Sequence, residues 1–198
     1  MILSDRMIKA AIEAGDIVID PFDPKSIGTN SYDVHLSPAL LTYANGLIED
    51  LLPMADPATR QLGRTSGLDC RREPTIRQWM IEENGFVLLP SMLYLASTVE
   101  YTRTEKYVPF LDGRSSVGRL GITIHCTAGR GDVGFAGHWT MEIHVVQPVR
   151  VYAGMPIGQL IYFETGEVDV PYDKKPGANY RNGRDPNPQP SKLWKSFK

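Results

Sequence analysis

Short apolar runs recur along most of the chain, and glycine or proline stands between them. Examples are "SYDVHLS" at 31–37, "HWTMEIHVV" at 138–146 and "IGQLIYFE" at 157–164. The 198 residues include 18 glycines and 15 prolines, which suits many short strands joined by turns. This spacing predicts a mainly β fold, an antiparallel sandwich or barrel, and the length allows one full hydrophobic core.

The N-terminal segment has helical rather than strand periodicity. Ser4 can cap a helix and Gly15 can end it. The apolar stripe between them consists of Met7, Ile8, Ala11 and Ile12. The next run, "IVID" at 17–20, predicts a short strand that stops at Pro21.

Two segments lack strand patterning. Residues 54–80 combine prolines with five arginines and few apolar residues, which predicts a long excursion or lid. Residues 171–198 are rich in Pro, Asn and Lys and are not expected to fold alone. We therefore expect one β domain over 1–170, followed by a C-terminal segment that is either disordered or closes over a ligand.

Charge and cysteine content exclude several classes of protein. The net charge of -2 and the pI near 6.1 give no overall basic field, so binding along a nucleic acid is not expected. No apolar run is long enough to cross a bilayer, and Asp5, Arg6 and Lys9 interrupt any signal-peptide core. The two cysteines, Cys70 and Cys126, are too few for a disulfide framework, which favours a reducing cytoplasm.

One turn concentrates hydrogen-bond donors. It reads "DGRSSVGRLG" at 112–121 and lies between apolar runs. A surface loop explains this composition, because Gly, Ser and Asp are common turn residues. A polyanion site explains it equally well, because serine hydroxyls, arginine forks and backbone N–H groups beside glycine bind phosphate. The turn alone does not decide between the two.

Patterns for zinc binding and for covalent catalysis are missing from the sequence. The four histidines are scattered, there is no CxxC pair, and the zinc-deaminase pattern of His-x-Glu followed by Pro-Cys-x-x-Cys does not occur. His138 and Glu142 stand four apart in a strand-like run, where this spacing only places both on one face. There is no GxSxG motif, and Cys126 lies in a strand-like run that predicts burial. We therefore expect neither zinc nor a covalent nucleophile.

Three carboxylates lie in segments suited to a site. Asp112 opens the donor-rich turn, and Asp132 lies in "TAGRGDVGFAG", a second glycine-rich segment. Glu142 lies in "WTMEIHVV", flanked by Met141 and Ile143. Because a turn aspartate often serves the turn and a strand glutamate often faces solvent, each carboxylate taken alone also has a structural explanation.

Six segments stand in a characteristic order along the chain. They read "MILSD", "GTNSYDVHL", "GRSSVGRLG", "TAGRGDVGFAG", "WTMEI" and "GMPIGQLIYFE". In this order, and with a late pair of tyrosines, they resemble the dCTP deaminase family of the dUTPase-like superfamily. The resemblance implies a distorted jelly-roll or β-barrel, a homotrimer with active sites between subunits, and zinc-independent conversion of dCTP to dUTP and ammonia.

The resemblance also assigns roles to individual residues. It makes Glu142 the catalytic glutamate, places Ser115 and Arg119 beside the reaction, and makes Asp132 the acid that contacts the deoxyribose. The residues implied at the phosphates are Arg114, Ser115, Ser116, Val117, Gly118 and Arg119. Those implied around the base, the sugar and the closing tail are Thr127, Ala128, Arg130, Phe135, Thr140, Met141, Tyr172, Asn179 and Tyr180.

The chemistry is compatible with this assignment. Water must attack the ring carbon that bears the amine, and Glu142 would take a proton from the water and later pass one to the leaving ammonia. The carboxylate then needs a closed, largely dry pocket, which apolar Met141 and Ile143 together with a closing tail would provide. The triphosphate needs several donors, and Mg²⁺ bound mainly through the phosphates would share its charge.

Two alternatives keep the same fold. A bifunctional enzyme would also hydrolyse dUTP to dUMP and diphosphate, with Asp132 positioning the attacking water; Arg130 favours the single-function enzyme weakly. A regulator that binds nucleotide without chemistry would have no need of Glu142. Feedback by dTTP is a further expectation in either enzyme.

The chain departs from the family pattern at three places. Asn179 stands where many members have a lysine before the tail tyrosine, and the segment around Gly183 lacks the glutamine often found there. Gly131 replaces a bulkier apolar residue. These departures bear on the role of the tail and on the backbone beside Asp132.

Overall fold

The fold is mainly β, as the spacing of the apolar runs predicts. A computed structural model describes residues 1–44, 68–181 and 183–197. The strands are β1 (Ile17–Asp20), β2 (Tyr32–Tyr43), β3 (Ile76–Met80), β4 (Phe86–Leu88), β5 (Tyr94–Thr104), β6 (Val108–Gly113), β7 (Ile122–Thr123), β8 (Ala136–Val145), β9 (Val149–Val151) and β10 (Pro156–Phe163). The α-helices are α1 (Asp5–Glu13) and the short α2 (Ser115–Gly118), and 3₁₀ turns cover Pro24–Ser26, Tyr172–Lys174 and Leu193–Phe197.

Eight strands form one antiparallel sheet that curls into a nearly closed barrel. Their hydrogen-bonded order is β6-β10-β2-β5-β8-β7, while β1 pairs with β5 and β3 pairs with β2. The strands β4 and β9 form a separate ribbon. The predicted barrel-like fold with a short N-terminal helix is therefore confirmed.

The N-terminal helix begins and ends where its cap residues predict. The Ser4 hydroxyl accepts the backbone N–H of Met7 at 3.4 Å, which satisfies one of the free donors of the first turn. Ile8 and Ala11 are buried against the barrel. Gly15 follows the helix with a φ of 78°, a left-handed conformation that glycine adopts without strain.

The alternation of side chains along β8 separates the core from a second, outward face. Met141, Ile143 and Val145 are buried in the core, whereas Thr140 and Glu142 are half-buried on the opposite side of the strand. This follows from the two-residue period of a β-strand. The strand thus supports the interior of the barrel with one face and presents polar groups with the other.

The predicted excursion and the tail lie at the edges of the barrel. Residues 54–67 of the excursion fall outside the described residues, and its end contains β3, which pairs with β2 from Ala39↔Met80 to Tyr43↔Ile76. The tail after residue 171 packs on the outward face of β5 and β8. Within the described ranges, no helix has the length and apolar character needed to cross a membrane.

Candidate active site

A cavity of about 470 Å³ opens on the outward face of β8. It is enclosed by this strand, the loop that precedes it and the C-terminal tail, and residues of β2 and at the start of β5 complete it. Its lining residues are Tyr43, Leu93, Leu95, Cys126, Thr127, Ala128, Arg130, Gly131, Asp132, Phe135, His138, Trp139, Thr140, Glu142, Tyr172, Tyr180, Gln189 and Ser191. The volume lies within the usual range of small-molecule sites.

Glu142 is fixed in this cavity through its backbone and its side chain. Its N–H donates to the carbonyl of Ile124 at 2.9 Å, and its Oε2 accepts the backbone N–H of Cys126 at 2.8 Å. One carboxylate oxygen is thus held, and Oε1 is the oxygen that can take a proton from a bound molecule. The expectation that Met141 and Ile143 dry this pocket is wrong, because both side chains are fully buried in the core behind the strand.

The loop before β8 brings a second carboxylate to the cavity. Asp132 and Arg130 line it together, and the carbonyl of Asp132 accepts the N–H of Phe135 in a turn at 3.1 Å. A Cβ on Gly131 would lie 2.6 Å from the ring of Trp139, so this indole occupies the space that a larger residue would need. The departure at Gly131 is therefore matched by Trp139, a bulky neighbour in the same wall.

Aromatic rings connect this loop with the start of the tail. Phe135 packs against Trp139 with ring centroids 4.9 Å apart and against Tyr172 at 6.2 Å. The backbone N–H of Tyr172 donates to the carbonyl of Val133 at 2.8 Å. The Tyr172 hydroxyl in turn accepts the N–H of Tyr180 at 3.0 Å. These contacts hold both predicted tail tyrosines at the cavity.

Two residues that the sequence predicts to bind the nucleotide form hydrogen bonds within the protein instead. The Thr140 hydroxyl accepts the backbone N–H of Gln189 at 2.9 Å, so the tail already uses this side chain. Asn179 is absent from the lining within the described chain, and its carbonyl accepts Lys192 Nζ at 2.9 Å. Met141 can reach the cavity only through its backbone, because its side chain is in the core.

The donor-rich turn lies apart from the cavity in this single chain. Its middle forms α2, in which Val117 is buried in the core and is not available to a phosphate through its side chain. Arg114 forms an ion pair with Asp33 at 3.3 Å. The exposed residues of the turn are Asp112, Ser115, Ser116, Gly118, Arg119 and Leu120. Within the part of the chain that the structure describes, none of these residues lines the cavity.

The sequence interpretation missed several lining residues. Cys126 was expected to be buried in a strand, but it lies in the loop after β7 and its thiol is exposed at the cavity. Partial burial, and then the charge of Glu142, raise the pKa of this thiol. His138 shares the outward face with Thr140 and Glu142, and its Nδ1 lies 3.1 Å from the carbonyl of Thr98. The remaining missed residues are Tyr43, Leu93, Leu95, Trp139, Gln189 and Ser191.

Cations are scarce in the cavity as one chain forms it. Arg130 is the one arginine or lysine among the described lining residues, which also include the two carboxylates Asp132 and Glu142. The described residues also contain no group of three or more His, Cys, Asp or Glu side chains that could hold a metal ion. A polyanionic ligand would need further donors beyond those that one chain brings together.

Comparisons with known proteins identify the family of the chain. A family model described as dCTP deaminase-like matches residues 2–165. A "dCTP deaminase, dUMP-forming" from Clostridium acetobutylicum is 45% identical over 197 residues, which are 100% of this chain and 99% of the relative. A protein of the same name from Hathewaya histolytica is 41% identical with the same coverage.

A solved structure resembles the fold. The 2'-deoxycytidine 5'-triphosphate deaminase from Agrobacterium tumefaciens matches with a TM-score of 0.59 at 17% sequence identity. The match covers 85% of this chain and 50% of that chain, so the chain spans half the length of this structural neighbour. At this identity the match supports the barrel alone, whereas the family model and the full-length relatives identify the lineage. The chain belongs to the dCTP deaminase-like family.

Proposed function

We propose that this protein converts dCTP and two molecules of water into dUMP, ammonia and diphosphate. The single observation that carries the proposal is the cavity in which Glu142 and Asp132 lie together under the tail. The full-length relatives named as dUMP-forming also favour this reaction. They support the bifunctional alternative better than the first sequence interpretation, which ended the reaction at dUTP.

Deamination is the first step. A water molecule near Oε1 of Glu142 loses a proton to the carboxylate and attacks the ring carbon that carries the amine. The bond from that carbon to the amine nitrogen then breaks, and the nitrogen leaves as ammonia with a proton returned by Glu142. The Cys126 N–H on Oε2 keeps the carboxylate oriented through both transfers.

Hydrolysis of the triphosphate is the second step. Water attacks the α-phosphorus, the bond to the bridging oxygen breaks, and diphosphate leaves. Asp132 lines the same cavity and is the carboxylate that would position this water. Mg²⁺, when bound with the nucleotide, neutralises part of the triphosphate charge. Because the described residues hold no cluster of three metal ligands, we assign the ion mainly to phosphate oxygens.

The donors for the phosphates come, in this proposal, from a neighbouring copy of the chain. In one chain the exposed turn with Ser115, Ser116 and Arg119 lies outside the cavity, which holds Arg130 as its arginine. A homotrimer with sites between subunits places the turn of one copy over the carboxylates of the next. Inhibition by dTTP and a cytoplasmic location remain predictions.

The test is one incubation of purified protein with dCTP and Mg²⁺, in which ammonia, dUTP, dUMP and diphosphate are followed together. Ammonia and diphosphate in equal amounts, with dUMP, support the proposal. Ammonia with accumulating dUTP would identify a single-function deaminase, whose reaction ends at dUTP. Bound dCTP without any product identifies a regulator of the same fold and overturns the enzymatic proposal.

A further inference from the structure

The distal part of the tail forms a docked wall of the cavity. The Ser97 hydroxyl donates to the carbonyl of Pro186, and the Thr140 hydroxyl accepts the N–H of Gln189 at 2.9 Å. Ser97 and Thr140 are cross-strand partners on β5 and β8, so these two contacts dock adjacent points of the tail on one spot of the sheet. Farther along, the N–H of Ser191 donates to the Tyr43 hydroxyl at 2.9 Å.

The orientation of the Gln189 amide follows from its partners. Its Nε2 donates to a carboxylate oxygen of Asp185 at 3.3 Å and to the carbonyl of Asn187 at 3.2 Å. The carbonyl can only accept, and so can the carboxylate when ionised. The backbone N–H of Asn187 holds the pKa of the Asp185 carboxyl below its ordinary value, so this carboxyl is ionised at neutral pH. The amide must therefore present its NH₂ group to these partners and its oxygen elsewhere.

The Gln189 side chain and the reacting carboxylate of Glu142 line the same cavity, so the amide oxygen can serve as an acceptor for a bound base. Gln189 lines the cavity, and its backbone is bonded to Thr140, which stands two residues before Glu142 on the same face of β8. Two residues of a strand span about 7 Å, roughly the width of a pyrimidine with its exocyclic group. Among the described residues, no group donates a hydrogen bond to Oε1 of Gln189.

We infer that Gln189 selects the aminated pyrimidine, its Oε1 accepting a hydrogen bond from the exocyclic amine of the base. This inference rests on the proposed function. Cytosine carries an amine donor at the position where uracil and thymine carry a carbonyl acceptor. The Gln189 Oε1, an acceptor held in place by the partners of its amide, attracts the amine of cytosine and repels the carbonyl of uracil or thymine. Gln189 is therefore a specificity-determining residue contributed by the tail.

The test compares dCTP with dUTP in a Gln189→Met variant. Methionine has a similar size and keeps the backbone N–H that docks on Thr140, but it lacks the acceptor. We expect the ratio of kcat/KM for dCTP over that for dUTP to fall about tenfold, the effect of one lost hydrogen bond of this kind. Ammonia release reports the first reaction and diphosphate release from added dUTP reports the second.

Two control variants separate base selection from tail docking. Ser97→Ala removes one docking contact and is expected to affect dCTP and dUTP in parallel. Gln78→Met changes an exposed glutamine of β3, outside the cavity lining, and should leave both activities unchanged. The inference is overturned if Gln189→Met changes kcat/KM for dCTP and for dUTP by the same factor, as Ser97→Ala should. It is also overturned if Gln189→Met changes neither value.

A binding measurement keeps this test independent of turnover. In the Glu142→Gln background, with EDTA present, calorimetry gives the dissociation constants of dCTP and dUTP directly. Adding Gln189→Met should lower the preference for dCTP about tenfold, and an unchanged preference rejects the role of Gln189. If the wild-type protein releases no ammonia, the proposed function fails, while the binding ratio still decides on Gln189.

Discussion

A single chain places the two halves of the predicted site differently. The carboxylate half, Asp132 and Glu142, lies in the cavity, whereas the donor half, the turn with Ser115, Ser116 and Arg119, lies outside it. The carboxylate half is preassembled, because Glu142 on β8 and Asp132 in the preceding loop line one cavity. The donor half, which consists of α2 and Arg119, lies at the surface. Only its Val117 side chain is buried in the core. In the proposed mechanism, one chain therefore supplies the carboxylates for proton transfer, whereas the donors that neutralise the triphosphate would come from a second chain.

The largest effect should come from breaking the carboxylate half alone. Glu142→Gln keeps the shape and the acceptor for the Cys126 N–H but cannot take a proton, so we expect ammonia release to fall about a thousandfold. The affinity for dCTP should remain within about threefold, because binding is not the lost function. Steady-state ammonia release and calorimetry measure the two quantities.

A matched control for this variant is Glu167→Gln, which changes an exposed glutamate outside the cavity lining. It should behave like the wild type in both measurements. Undiminished ammonia release by Glu142→Gln would remove Glu142 from the mechanism. A parallel loss of dCTP binding would show that the variant damaged the site rather than its chemistry.

A mixture of two inactive variants can show whether the two halves belong to different subunits. Arg119→Ala should also be nearly inactive, because it removes an exposed guanidinium that the triphosphate needs. If each site combines Glu142 from one copy with Arg119 from the next, an equal mixture of the two inactive variants contains intact sites. Random assembly makes about a quarter of all sites intact, and activity should recover to that level.

The mixing experiment needs exchange of subunits, which mild denaturation and joint refolding provide. Each variant refolded alone is the control and should remain inactive. A mixture that stays as inactive as its components would place both residues in the same subunit's site. Light scattering on the same samples shows whether the assembly is a trimer.

Much of the fold follows from local patterns, and the site follows only in part. The cap at Ser4 and the alternation along β8 are properties of short segments, so the sequence predicts them well. Cys126 departs from its predicted burial because "GITIHCT" has the pattern of one strand, whereas the strand ends at Thr123 and the chain turns into the loop. The apolar neighbours of Glu142 were misjudged for a related reason, since neighbours in a strand face away from each other.

The residues that the sequence could not supply come from contacts distant along the chain. Tyr43 on β2 and Gln189 in the tail meet at the cavity although more than half of the chain separates them in sequence. Pairing of distant segments depends on the closed barrel, which no local pattern encodes. The composition of the tail leaves open whether it is disordered or closes over a ligand, and the order of motifs shared with a family favours the second.

A smaller effect, on the docking of the tail over the cavity, should come from removing one hydrogen bond between the tail and β8. Thr140→Val keeps the volume but removes the hydroxyl that accepts the Gln189 N–H. The loss of one such hydrogen bond costs about 1 kcal/mol, so the docked tail should open about fivefold more often. Limited trypsin cleavage after Lys192 should accelerate accordingly. Thr123→Val, on an exposed position of β7, is the control and should cleave at the wild-type rate.

The smallest effect concerns a thiol that reports on the carboxylate half. Partial burial and the charge of Glu142 raise the pKa of Cys126, so less thiolate is present at a given pH. Since only the thiolate reacts with iodoacetamide, alkylation should be slow near neutral pH and increase as the pH rises through the raised pKa.

The variant Cys70→Ser leaves Cys126 as the only thiol, and mass spectrometry follows its modification. Adding Glu142→Gln removes the neighbouring negative charge, which lowers the pKa and should accelerate alkylation several-fold at the same pH. The control is Glu167→Gln, which removes an exposed carboxylate outside the cavity lining and should leave the alkylation rate of Cys126 unchanged. A rate that responds equally to Glu142→Gln and Glu167→Gln would mean that the carboxylate of Glu142 is not the charge that acts on the thiol, and Cys126 would then not report on the carboxylate half.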